Sequence, residues 1–309
     1  MRASDREDDT RLRAAAHAGS HTAASRVRRV VSIDVDDRIG GAYGLAFAGI
    51  SPGPAAMEPA PRGWPVVRLE HAAAGEVPGP GGPDRAVIPL RGGGAIAVDR
   101  SDRSATFFTA RPPDRVSLTH PLASVVAGAF SRWLGREVLH AGGVVGPDGG
   151  VWAIMAGREG GKSTTLAALA LADVPVLSDD LLVVDGAATF RGPRCIDLRT
   201  SAAHALGVEG GATPVRDDRR RLCLPPVAAE LPLTGLIFLE WESGHAVKSL
   251  GLAARMRLLA RHRAGGFVPG PPEAALALAD LPAFEIRRPR THDGVSETAA
   301  AIRGVMGGT

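Results

Sequence analysis

Residues 151–186 read VWAIMAGREGGKSTTLAALALADVPVLSDDLLVVDG, and the first half of that stretch leaves few choices of fold. An unbroken apolar run, 151–155, meets Gly157, Gly160 and Gly161, then Lys162, Ser163 and Thr164, then the helix-favouring segment 165–172. The run reads as a buried strand, and the glycines allow a turn whose N–H groups face an anion. A helix that starts straight after the turn adds its own free donors and its positive dipole end. This is the spacing of a phosphate-binding P-loop, in which Lys162 reaches the terminal phosphates and the Ser163 hydroxyl meets a magnesium ion. The expected nucleotide-binding set is Gly157, Arg158, Glu159, Gly160, Gly161, Lys162, Ser163 and Thr164. The consensus has glycine where this chain has Ala156.

Basic residues sharpen the reading. The chain has 36 Lys plus Arg but only two lysines, Lys162 and Lys248. One of them falls in the loop, where a compact ammonium enters a cradle of backbone amides better than a planar guanidinium does. The net charge of +3 comes from a slight arginine excess spread along the chain, without a basic run, which argues against nucleic acid as a partner. Cys195 and Cys223 are the only cysteines; they make no disulfide framework, which fits a reducing cytoplasm. No apolar run approaches the ~18 residues of a membrane helix, so no membrane partner is expected. With 309 residues and 45% apolar content, the chain can bury one large core or two smaller ones.

Taken in order, residues 1–29 mix Asp, Arg, Ala, Ser and His and read as a flexible tail. Residues 30–118 form a β-rich portion: VVSIDV, YGLAFAG, PVVRLEH, AVIPL, AIAVDR and SATFFTA are short strands between Gly/Pro turns. Asp34, Asp36 and Asp37 read as solvated turn residues. A helix is expected over 119–134, with Thr119 as N-cap, Pro121 in the first turn and Gly135 as the stop. A strand over 138–145, carrying His140, leads back to the loop strand.

Downstream of the loop helix, a short strand ends at Ser178-Asp179-Asp180. Two carboxylates at a strand end near a P-loop suit phosphoryl transfer: one holds Mg²⁺, the other takes the proton of an attacking hydroxyl. Asp180 is assigned to the metal with Ser163, and Asp179 to the base. A guanidinium is also expected, to neutralise charge on the transferring group. Arg199 and Arg221 are the favoured candidates; most of the remaining set, Arg191, Arg194, Arg216, Arg219 and Arg220, reads as charged surface. Strands at 233–241 and in LPAFEIRRP, and helices at 253–261 and 272–281, read as scaffold.

The succession LHAGGVV, AGREGGKST and LSDD resembles the C-terminal domain of HPr kinase/phosphorylase and its smaller relatives. The resemblance covers residues 119 to about 239. It implies an α/β P-loop kinase domain with a mixed sheet over 119–309, related in fold to ATP-dependent phosphoenolpyruvate carboxykinase. It further implies His140 as a site residue, ATP and Mg²⁺ as cofactors, and phosphorylation of a hydroxyl. Relatives of this size include kinases acting on a serine of a ribosomally made peptide precursor, so a protein or peptide acceptor is expected. Three other readings stay open: a nucleotide hydrolase that uses ATP as a switch, a carboxykinase, and a degenerate nucleotide-binding module. Oligomeric state is open as well.

Overall fold

Strand Val151–Ala156 is buried along its whole length, and its side chains alternate between two cores. Trp152, Ile154 and Ala156 join Leu166 and Leu169 of helix Lys162–Leu171 and Ile302 and Met306 of helix Gly294–Gly307. Val151, Ala153 and Met155 join Leu258 and Leu259 of helix Leu252–His262 and Leu278 of helix Pro272–Leu278. A strand covered on both faces needs apolar residues at every position, which is why its sequence shows no polar alternation.

This computed structural model describes residues 31–32, 39–73, 75, 77, 79, 81–216, 218–270, 272–291 and 294–308. The expected tail, 1–29, and Asp34, Asp36 and Asp37 lie outside the described residues. The architecture is mixed α/β. In a nine-stranded mixed sheet, Val151–Ala156 pairs antiparallel with Ala141–Val145 and parallel with Glu230–Trp241. Ala283–Arg288 continues the sheet parallel to Glu230–Trp241, and Val176–Ser178 pairs antiparallel with Ala141–Val145 on the other side. Four strands therefore end on one edge of the sheet, the edge where Ala141–Val145 begins. The first residues of Glu230–Trp241 pair with Ala188–Phe190, which leads through Leu182–Asp185 to Glu137–Leu139.

A second, eight-stranded mixed sheet holds the strands before residue 110, among them Leu45–Ala48, Val66–Ala73, Ala95–Asp99 and Ser104–Thr109. Its apolar face, with Tyr43, Phe47, Ile96 and Phe107, shares one core with Val126 and Phe130 of helix Ala123–Trp133 and with Val183 and Phe190. A three-stranded antiparallel sheet, Cys195–Arg199, Arg219–Cys223 and Thr213–Arg216, lies beyond the loop helix. Among the described residues no helix is long and apolar enough to cross a membrane.

Three local expectations are corrected. Thr119 is not an N-cap: Asp114 caps a short turn, Arg115–Ser117, and the long helix runs over Ala123–Trp133. Between them His120 leaves helical geometry (φ −156°, ψ 126°), as expected of a residue whose α conformation is crowded by the following Pro121. The expected strand 138–145 is two strands, Glu137–Leu139 and Ala141–Val145, with His140 at the joint. Helix Gly294–Gly307 has no counterpart in the sequence reading; its buried Val295, Thr298, Ala299, Ile302 and Met306 keep helical spacing, but glycines at 294, 304 and 307 weaken the local signal.

Candidate active site

The glycine loop follows from close approaches. The Gly160 N–H donates to the Gly157 carbonyl at 2.8 Å, and a Cβ at Gly160 would stand 2.7 Å from that oxygen and 2.8 Å from the Ala156 methyl. Gly161 takes φ 74° immediately before Lys162 opens the helix, a conformation that favours glycine. Ala156 is still strand, so nothing in its own backbone asks for the consensus glycine.

Lys162 is 7% exposed, and its Nζ donates to Asp179 Oδ1 at 2.7 Å. Asp179 also receives the Asp180 N–H at 2.7 Å. Burial alone would push the Asp179 carboxyl up, but the Lys162 charge and hydrogen bonds from Lys162 and Ser163 hold it below the usual carboxylate range. Asp180 differs. Its side chain is 38% exposed, it takes φ 70°, and its Oδ1 stands 3.6 Å from His140 Nδ1, too long for a hydrogen bond. Burial and the nearby Lys162 charge lower the His140 pKa, against the opposing pull of the two aspartates, so the imidazole is neutral at pH 7. The His140 main chain is tied by its N–H to the His262 carbonyl at 2.7 Å. Lys162, Asp179, Asp180 and His140 therefore meet on one sheet edge.

The arginines divide. Arg199 donates to Glu159 in the loop at 2.6 Å, and both side chains are about half exposed. Arg221 is buried: it grips Asp197 with two bonds of 2.7 and 2.9 Å and donates to the carbonyls of Val116 and His120. Its donors are thus committed to the scaffold beneath His120, not directed at the loop. Arg191 and Arg194, expected at the surface, are buried as well and bond main-chain oxygens, Pro59 for one and Val176, Leu177 and Pro225 for the other. Arg158 is exposed, and Ser163 and Thr164 are half-buried.

Two residues of this edge were not anticipated. Arg288, at the end of strand Ala283–Arg288, donates to the Gly160 carbonyl and stacks on the Trp241 ring at 4.1 Å. Burial lowers its pKa to about 10, so it stays charged at neutral pH. Tyr43 lies in the turn between strands Gly40–Ala42 and Leu45–Ala48 of the eight-stranded sheet; burial first, and Asp180 next, push its hydroxyl well above the ordinary value, and that hydroxyl has no hydrogen-bond partner. The Gly–Gly–Lys spacing gives no hint of either one.

No protein-family model matches the sequence, and no curated protein matches it. Among solved structures, the HPr(Ser) kinase/phosphatase from Coxiella burnetii is similar at 11% identity, over 55% of this chain and 95% of that one, with a TM-score of 0.30. A likeness that loose carries no argument, so function has to be read from the side chains along the edge.

Proposed function

We propose that this chain is an ATP-dependent kinase that transfers the γ-phosphoryl group to a hydroxyl, a serine, of a protein or peptide acceptor such as a ribosomally made peptide precursor. The observation that carries it is the buried Lys162–Asp179 pair at the start of the loop helix, beside a second, accessible carboxylate. The loop residues suit a polyphosphate: a Cβ at Gly157 would meet nothing within 4 Å, while Gly160 and Gly161 let the backbone close tightly behind it. Ser163 and Asp179 offer hard oxygen donors, which suit a magnesium ion shared with substrate phosphates. Magnesium would supply charge neutralisation across the phosphate oxygens.

Roles of the aspartates are exchanged relative to the sequence expectation. Asp179, buried and bonded to Lys162 and Ser163, suits the metal and lysine; Asp180, accessible and unpaired by lysine, suits the base. In this reading Lys162 turns one of its donors from Asp179 to the phosphate, and Asp180, with neutral His140 3.6 Å away, takes the acceptor proton as the new P–O bond forms and the β–γ bridge of ATP breaks to release ADP. Arg199 leaves the exposed Glu159 to meet the transferring group, and Arg221 supports the His120 segment. The test is incubation with γ-labelled ATP, magnesium and a cell lysate. One labelled polypeptide supports the kinase; steady ATP hydrolysis with no labelled acceptor points to a hydrolase instead.

A further inference from the structure

Arg288 is 1% exposed, and among the described residues no carboxylate pairs with it. Among the other buried cations, Arg221 is answered by Asp197, Arg132 by Glu137, Lys162 by Asp179 and Arg191 by Glu58, while Arg194 has its guanidinium nitrogens bonded to the carbonyls of Pro225, Leu177 and Val176. Arg288 has the Gly160 carbonyl and the face of Trp241, and its Nε has no partner. A buried charge left without a counter-charge is unfavourable, so its presence behind the loop calls for a reason. A Cβ on Gly161 would stand 2.9 Å from Arg288 Nη2 and 3.2 Å from the Trp241 ring, so the cation lies directly against the residue that caps the loop helix.

We propose that Arg288 is a positioning residue of the phosphate site: it fixes the Gly160–Gly161 peptide and places behind the loop a positive charge whose counter-ion is the polyphosphate of the bound nucleotide. This rests on the nucleotide reading above. The mechanism follows from the planar trans peptide, in which C=O and N–H point opposite ways. With the Gly160 oxygen held by Arg288, the Gly161 N–H is turned to the other side, and no backbone acceptor among the described residues takes it. That donor and the start of helix Lys162–Leu171 then face the anion together, with a cation reinforcing both through a low-dielectric interior. Trp241 covers the guanidinium and keeps it from turning to solvent.

The probes are magnesium tripolyphosphate and magnesium ATP, with binding followed by calorimetry and the Tm of the free protein followed separately. Arg288→Met is expected to weaken both ligands roughly 10- to 100-fold while the free protein melts at the wild-type temperature or above it, because an unanswered charge has been removed. Arg288→Lys, which keeps the charge and loses the fork, is expected to lose less, roughly 3- to 10-fold. Wild-type affinity in either variant overturns the proposal, as does a loss of affinity that comes with a lower Tm in the free protein, since that marks a structural residue. Should Arg288→Met not fold, Arg288→Lys decides. Failure of the wild-type protein to bind either probe overturns the nucleotide reading itself, and this proposal with it.

Discussion

Two buried ion pairs of this molecule are built to opposite ends. In one, Glu137 lies between Arg132 and Arg263, and Arg132 also donates to the carbonyls of Val138 and Ala264. In the other, Lys162 meets Asp179 through a single bond, at the mouth of a glycine loop. The first pair holds the turn after helix Leu252–His262 against the foot of helix Ala123–Trp133, and guanidinium forks bonded on several sides cannot change partner without breaking the fold. The second has a compact cation with donors to spare, so exchanging a carboxylate for a phosphate costs it little. Geometry, more than burial, separates a scaffold pair from the one proposed to meet phosphate.

That contrast makes graded predictions. Lys162→Ala should lower kcat/KM on the order of 10³- to 10⁵-fold, the scale of losing a cation that stabilises a transferring phosphoryl group. Steady-state transfer assays check this, and activity within tenfold of wild type would break the comparison at its working end. Next in size, Asp180→Asn should cut kcat roughly 10²- to 10⁴-fold with ATP affinity unchanged, as loss of a general base does. Asp179→Asn should instead raise the magnesium concentration needed for half-maximal rate. If the two variants behave the other way round, the original assignment of base and metal ligand stands.

At the scaffold end, Glu137→Ala leaves the buried Arg132 guanidinium without its carboxylate and should cost about 3–5 kcal/mol of stability in urea unfolding. The rate per folded molecule should not change. A smaller effect concerns pH. His262 is buried, and burial, followed by the His140 and Arg261 charges, lowers its pKa to about 4. The unfolded chain takes up this proton near pH 6.5, the folded chain only near 4, so this contribution is complete above pH 6.5 and is lost as pH falls towards 4. His262→Phe should flatten the stability profile across that window; an unchanged slope would show that the buried imidazole is not its source.

The parts legible in the sequence are those whose physics is local. The loop needs glycines within a few residues of each other, and the aspartates need only a strand end, so Gly160, Gly161, Lys162, Asp179 and Asp180 could be picked out within 21 residues of chain. His140 could be placed on an incoming strand, though not at the joint between two. Arg288 was out of reach because it comes to Gly160 across 128 residues, through two successive parallel pairings that join the loop strand to strands read only as scaffold. The same holds for Arg191 and Arg194. An arginine beside prolines looks like surface until the fold turns main-chain carbonyls toward it, and charge patterning carries no trace of those carbonyls. Arg221, expected in the site, is instead held by Asp197 and the His120 carbonyl. Ala156 is the reverse case: a departure from consensus in sequence is ordinary strand in structure.

Direct transfer to an oxygen acceptor, assisted by a carboxylate on this sheet edge, is the central claim, and the chemical stability of the transferred label tests it most directly. After reaction with γ-labelled ATP and magnesium, the label is predicted on the acceptor as a phosphoester that survives acid and is lost in alkali, with none on this chain. An acid-labile label on His140 that is chased onto the acceptor would contradict direct transfer.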